Sequence, residues 1–279
     1  MKGWFGGNPG PVFPRFDFTS SMTAIAIVST SSGIIVAADG RSRWGEDATR
    51  DNSTSQHESD HEKKVFKAEI GAADVAWAVT GSVFNADRSF SLVAEVKKSF
   101  RAANEDPTSL FRWFDSFTTH LHALVSEARE NGLLPPFTEN ENQTVGSNER
   151  FTFARIFMAG YFYGGKPAIA ILRLSHKDGV LKEPQRMIFS PPEHDFFSGS
   201  DEVRKRYFEE HEDVRFKKYF RPSGSTLEEG LAHARGYIKA CSDPLAAEID
   251  PLCKGIGGDF HAAAITPSGF TWLIPPKAT

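Results

Sequence analysis

Two β-branched, apolar runs, Thr23 to Thr30 and Ile34 to Ala38, are separated only by Ser31-Ser32-Gly33. Such runs with a glycine-bearing turn between them pair as an antiparallel hairpin with one buried face. The rest of the chain must then supply a cover for that face. A second pair of short runs, Lys64 to Glu69 and Val75 to Thr80, turns around Gly71 after a polar stretch from Arg43 to Glu62. The periodicity then becomes helical. Phe90, Val93, Val96 and Phe100 recur at spacings of three and four within residues 86 to 103. Leu110, Phe114, Phe117, Leu121, Leu124 and Ala128 do the same within 108 to 131, with Pro107 near the start and Gly132 at the stop. Each pattern predicts a helix that buries one stripe.

Beyond a polar loop over 133 to 150, three more strands are predicted at Thr152 to Tyr163, Ala168 to Leu174 and Arg186 to Phe189. A charged helix near 200 to 211 follows, then a helix over 226 to 241 opened by Ser225 or Thr226. The last predicted element is a hairpin, 260 to 265 and 270 to 273, turning at Pro267-Ser268-Gly269. Strands joined by short turns imply antiparallel sheets, and helices arriving in pairs suggest a helical layer on each outer face of stacked sheets. Residues 1 to 22, rich in Gly, Pro and Phe, show neither period and read as an N-terminal extension or propeptide before a domain spanning 23 to 279.

Bulk properties narrow the partners. The 279 residues carry 32 basic and 36 acidic side chains, a formal net charge of -4. That balance gives no electrostatic footprint for nucleic acid or anionic lipid. Apolar runs stay short of the ~18 residues that cross a bilayer, and the first twenty residues lack a secretion signal. Cys241 and Cys253 are too few for a disulfide scaffold and form no Cys-x-x-Cys pair, so a reducing, cytoplasmic setting is expected. His57, Glu58, Asp60, His61 and Glu62 cluster within the polar stretch at no metal-ligand spacing, and read as a solvated loop. Neither a metal nor a cofactor is expected.

The stretch Thr23 to Arg41 (TAIAIVSTSSGIIVAADGR) resembles the opening of a proteasome β subunit or of the protease of the HslUV pair. Thr23 lies ten residues before Gly33 and sixteen before Asp39, the family's spacing from nucleophile to turn glycine to acid. Glu62-Lys63-Lys64-Val65-Phe66 resembles its lysine strand, and Ala78-Val79-Thr80-Gly81-Ser82 the strand ending at its oxyanion glycine. Taken singly these are bland features: Thr23 an ordinary strand former, Asp39-Gly40 a turn, Lys64 a solvent-facing strand end. Their joint spacing is what carries the resemblance.

It implies a four-layer αββα sandwich of two antiparallel sheets between helical layers, an N-terminal nucleophile (Ntn) hydrolase fold. It also implies a threonine-type peptidase or amidohydrolase that forms an acyl-enzyme on Thr23. In such an enzyme the threonine's own α-amine is the base, which titrates near pH ~8 without drastic tuning. Lys64, paired with Asp39, would favour the alkoxide, and the Gly81 N–H would meet the oxyanion. Ser200, in Phe197-Ser198-Gly199-Ser200, is the implied serine that bonds the α-amine. Val79 and Val83 fall where the family lines its primary specificity pocket, which predicts a medium-sized apolar preference.

Three departures accompany the match. The family's late aspartate falls on Cys253, with Asp250 as a substitute if the loop is rebuilt; its Ser-Gly-Gly reads Ile256-Gly257-Gly258; and Met22 stands where self-cleaving precursors carry glycine. Thr23 therefore becomes N-terminal either by self-cleavage or, the preferred reading, by translation from Met22 and methionine removal. A peptide or protein substrate and a homo-oligomer, a ring by analogy, are implied, with any ATPase partner left open. Two alternatives stand beside this reading: a non-catalytic assembly or binding subunit that keeps its extension, and a small-molecule amidase of the same superfamily. Cys253, with no histidine placed beside it, reads as a buried structural cysteine.

Overall fold

The alternating runs become strands and the apolar stripes become helices in the computed structural model of the chain, which describes residues 23–44, 57–81, 89–104, 109–134, 151–162, 165–190, 192, 194–208 and 214–277. In chain order the first half contains β1 (Ile25–Thr30), β2 (Gly33–Ala38), β3 (Ser42–Trp44), β4 (His57–Ser59), β5 (Val65–Ile70), β6 (Ala73–Gly81), α1 (Leu92–Ala103) and α2 (Leu110–Glu130). The second half contains β7 (Phe151–Phe162), β8 (Lys166–Lys177), β9 (Val180–Leu181), β10 (Gln185–Phe189), β11 (Phe196–Ser198), α3 (Asp201–Phe208), α4 (Val214–Lys217), α5 (Leu227–Ser242), α6 (Pro244–Ile249), β12 (His261–Thr266) and β13 (Gly269–Ile274). Among the described residues this is a mixed α/β chain with two large antiparallel sheets and six helices.

The first sheet has the order β11-β1-β2-β12-β13, and the second the order β10-β8-β7-β6-β5 with β9 added against β8. A two-stranded ribbon, β3 with β4, stands apart. Hairpin geometry accounts for most neighbours, since strands joined by tight turns pair antiparallel. The β1–β2 turn needs its glycine: Gly33 has φ +155°, and a Cβ there would lie 2.5 Å from the Ile265 carbonyl oxygen of β12. Only a residue without that carbon lets the third strand close in.

Alternation decides which side chains meet. Ile25 and Ile27 of β1 and Ile34 and Val36 of β2 share a core with Ala76 and Ala78 of β6, Phe157 of β7 and Ile169 of β8. The intervening residues Ala24, Ala26, Val28, Ile35 and Ala37 instead pack with Tyr207, Ala234, Tyr237, Ile238 and Cys241 from α3 and α5. The second sheet likewise turns Val75, Trp77 and Val79 toward α1 and α2. Small alanines on the helix-facing side of β1 and β2 let α5 approach closely. At Gly230 a Cβ would already be 2.7 Å from Thr30.

Helix ends are set by side-chain caps. Ser91 and Ser109 accept from the backbone N–H of Ala94 and Arg112, and Thr226 with Glu229 forms a full capping box at the start of α5. Six short elements escape the sequence reading: β3, β4, β9, β11, α4 and α6, of which β3 and β4 form a ribbon in the stretch read as a polar, solvated loop. Strand β11 is only three residues long, and α6 is a six-residue helix opened by the Asp243 cap and Pro244. Elements so short carry no resolvable period. The predicted extension over 1 to 22 lies outside the described residues.

The centre of the second helix-facing core is aromatic. Phe117 is fully buried, with its ring centroid 5.0 Å from that of Phe100 and 5.2 Å from that of Trp113. Phe117→Ala is expected to destabilise the fold by about 3 to 5 kcal/mol, the usual cost of an emptied aromatic core site. Urea denaturation of the variant against the parent chain measures it, and a loss under about 1 kcal/mol would mean that this core collapses around the hole.

Candidate active site

The β1–β2 hairpin ends on a carboxylate. Asp39 follows Ala38 directly, is 1% exposed, and receives hydrogen bonds from three backbone N–H groups. Ala24 donates to Oδ1 at 2.8 Å, while Gly257 and Arg41 donate to Oδ2 at 3.0 and 3.3 Å. The Gly257 carbonyl in turn accepts from the N–H groups of Gly40 and Arg41 at 3.1 and 2.8 Å. A loop near the end of the chain is thus stitched to the turn after β2. Gly257 has φ +151°, and a Cβ there would sit 3.0 Å from the Arg41 guanidinium, which is itself held by Asp60 at 2.7 Å.

Lys64 reaches this carboxylate from the other sheet, one residue before β5 begins. Its Nζ lies 3.3 Å from both Asp39 oxygens and 3.1 Å from Thr23 Oγ1, and it also donates to the Arg41 carbonyl. An ammonium has three N–H donors, and carboxylate, hydroxyl and carbonyl together use all three. Thr23 precedes β1 by two residues, so alternation turns it to the same side as Ile25, toward the second sheet. All three side chains are buried. Burial lowers the Lys64 pKa, opposed chiefly by the charge of Asp39. Burial also raises the Asp39 carboxyl, opposed by Lys64 and by the N–H groups of Gly257 and Ala24. The result is a cation held against a hydroxyl in a site nearly closed to solvent.

The structure therefore brings Thr23, Asp39 and Lys64 into contact. Gly81 closes β6 opposite Ala154, with φ +102° and room for no Cβ, since one would lie 2.1 Å from the Phe153 carbonyl oxygen. Ser200 is buried, but its hydroxyl accepts from the Val203 N–H at 3.1 Å and so caps α3. Val79, 2% exposed, belongs to the core under α1 and α2, and Val83 lies outside the described residues. Asp250 accepts from the Leu252 N–H at 3.0 Å, capping a short 3-10 turn. The thiol at the departing position, Cys253, is buried and hydrogen-bonds the Ser200 side chain, with burial pushing its pKa far up. From the polar stretch, Asp60 pairs with Arg41, and His61 Nδ1 lies 2.6 Å from Asp259 Oδ2.

Three residues near the site went unflagged by the sequence. Ser198 pairs with Ile25, is 3% exposed, and its hydroxyl has no hydrogen-bond partner among the described residues. Arg155 pairs with Thr80 beside Gly81 and is buried, with burial and the nearby Arg173 lowering its pKa to about 9. His261 opens β12 and accepts at Nε2 from the N–H groups of Lys64 and Val65, at 3.0 and 3.2 Å. A lone imidazole at the head of the alanine-rich run His261-Ala262-Ala263-Ala264 was a usable signal: a polar side chain in a buried strand needs a partner.

No family model matches the chain, and no curated protein does. Among solved structures it is similar to the Anbu complex from Pseudomonas aeruginosa in its helical assembly, at 14% identity and TM-score 0.51 over 91% of this chain and 88% of that one. It is also similar to a Gly-1 mutant of Anbu from Hyphomicrobium sp. strain MC1, with 12% identity, 90% and 88% coverage and TM-score 0.49. Anbu from Yersinia bercovieri, described as an ancestral β-subunit, gives 13%, 90%, 87% and 0.49. Anbu proteins are proteasome-like but form a distinct family. The placement beside proteasome β subunits and the HslUV-type protease is accordingly corrected: what is shared is a fold, and with Anbu. The physical reason is that the spacing of Thr23, Gly33 and Asp39 is dictated by the β1–β2 hairpin itself, so it marks an architecture and not one family within it.

The neutral imidazole yields a pH prediction. His261 has its pKa lowered from the ordinary value to about 4, by burial first and then by the Lys64 and Lys63 charges, with Asp259 opposing. Between pH ~6.5 and ~4 the unfolded chain binds a proton here that the folded chain does not. Folded stability is therefore present above that window and lost as pH falls through it, by up to about 3 kcal/mol from this group. Urea denaturation at pH 7, 5.5 and 4.5 should show a steeper acid loss for the parent chain than for His261→Gln. Equal slopes would show that the imidazole is not held neutral.

Proposed function

We propose that the chain is a threonine-type N-terminal nucleophile hydrolase, its sheets and flanking helices forming the four-layer αββα sandwich of that class. The observation that carries the reading is the Lys64 ammonium, 3.1 Å from the Thr23 hydroxyl and anchored on Asp39. With Thr23 as the first residue, its α-amine takes the hydroxyl proton and the oxygen attacks an amide carbonyl. Lys64 stabilises the alkoxide without giving up its proton. The Gly81 N–H receives the oxyanion, a contribution of roughly 3 to 4 kcal/mol in comparable sites. The amine proton passes to the leaving nitrogen as the C–N bond breaks, leaving an ester on Oγ1. Water, activated by the same amine, then releases the acid.

Ser198 is better placed than Ser200 to bond the α-amine, because the Ser200 hydroxyl already caps α3. Val79 and Val83 are assigned to an apolar specificity pocket. A peptide substrate and a homo-oligomer complete the proposal; the helical assembly of Pseudomonas aeruginosa Anbu supports the second. A cytoplasmic site of action is part of the proposal; among the described residues no helix is long and apolar enough to cross a membrane. A second reading, a subunit that assembles or binds without cleaving, is favoured by one observation: Cys253, a buried thiol with a strongly raised pKa, stands where an acid would complete the proton network.

Intact mass spectrometry and a panel of fluorogenic peptides and acyl amides test the proposal together. Active material is expected to begin at Thr23, and Thr23→Ala to lower kcat by roughly a thousandfold or more. Activity in a chain that retains preceding residues, or an undiminished T23A variant, rejects the Thr23 chemistry, whereas a chain that keeps its preceding residues and cleaves nothing on the panel favours the second reading. Within the panel, medium apolar side chains are expected to be preferred at the cleaved bond. A preference for charged ones discards the pocket assignment of Val79 and Val83.

A further inference from the structure

We infer that His261 is a positioning residue that holds the Lys64 ammonium against the Thr23 hydroxyl by pinning the lysine's backbone across the two sheets. The inference rests on the proposed Thr23 chemistry for its catalytic consequence, but not for its geometry. His261 pairs with Ala38 on the β2–β12 rung, and Asp39 is the next residue after Ala38. From that rung the imidazole crosses to the other sheet, where Nε2 accepts from the N–H groups of both Lys64 and Val65. The lysine is thus located twice from one place. Its ammonium is tied to Asp39 just past the rung, and its backbone to His261 on the rung.

The proton inventory fits this role. Nε2 can accept two N–H groups only if it carries no proton, and the ring's hydrogen bond to the Asp259 backbone places the proton on Nδ1. The charged groups around the ring are Lys64 and Lys63 ahead of β5, and Asp259 on the approach to β12. Protonation would set a new N–H against two others, beside an ammonium already present. A rung-mounted acceptor also suits precision. Lys64 precedes an edge strand of its sheet, where among the described residues no second neighbouring strand limits its movement. A side chain fixed on an interior strand of the opposite sheet supplies that limit, and displacements near an ångström at a reacting centre cost about a hundredfold in rate.

Hydrogen-exchange mass spectrometry of the full chain, read beside kinetics, tests this with His261→Gln and His261→Leu. Gln keeps an acceptor at nearly the same reach, whereas Leu has none. In the parent chain the Lys64 and Val65 amides should exchange slowly; fast exchange there overturns the inference whether or not either variant folds. In H261L those two amides should lose protection about tenfold or more while peptides from α1 and α2 keep theirs, and H261Q should restore it. On an active parent chain, H261L should lower kcat about a hundredfold with KM within about threefold, and H261Q should recover most of it. An H261L variant with unchanged kcat, or an H261Q variant as impaired as H261L, overturns the positioning role. A parent chain that cleaves nothing on the panel refutes the Thr23 chemistry instead, and the exchange pattern still decides whether the imidazole pins the lysine.

Discussion

The site depends on a carboxylate that is almost wholly removed from water. Asp39 is 1% exposed and Lys64 only 6%, and a buried ion pair of this kind adds little stability by itself because desolvation offsets the attraction. What makes the pair tolerable is the ring of donors around it. Three backbone N–H groups and the ammonium converge on two oxygens, so few lone pairs are left unsatisfied. The same bonds join the first strand, the turn after the second, and the loop before the penultimate strand. Removing the carboxylate would therefore loosen three distant pieces of chain at once, and would strand a cation beside Thr23.

That convergence follows from how two sheets are stacked. Residues near position 23 and near position 260 belong to one sheet, and Lys64 to the other. Between the sheets, Ala76, Ala78 and Ala159 meet Ile25, Ile27 and Val36, and these small or β-branched side chains keep the layers near enough for a lysine to bridge them. Aromatic rings occur on both faces of the second sheet: Phe157 lies in the inter-sheet core, while on the helix-facing side Phe66 stacks on Trp77 at 4.3 Å and Phe100 leans on Phe117. The likeness to Anbu is a likeness of this arrangement; at 14% identity it extends to the fold and not to the chemistry.

Much of this was legible in the residues. The hairpin β1–β2, the pair β5–β6, the two long helices and the closing hairpin β12–β13 all carry repeating patterns longer than a single turn, so local preference and burial agree. Strand β11 and helix α6 do not, because three and six residues hold too little period to stand out. Among the candidate site residues, Asp39 and Lys64 are bland singly, a turn and a strand end, and only their joint spacing with Thr23, Gly33 and Gly81 picks them out, through a resemblance. Ser200 could be named from its glycine-serine turn, but not the fact that its hydroxyl caps a helix, since capping is visible only once α3 is known to begin at the next residue.

Sequence by itself determined which faces are apolar, where the chain must turn, and that Thr23, Gly33 and Asp39 share one hairpin, because those properties are local and repeat at the period of the element. Tertiary structure alone decided that, among the described residues, the Ser198 hydroxyl is left unpartnered, and that an imidazole in one sheet accepts hydrogen bonds from the backbone of the other. Contacts of that kind have no sequence period. They arise when two separately formed layers close on each other, and the identity of the meeting atoms depends on register and stacking that no single segment encodes.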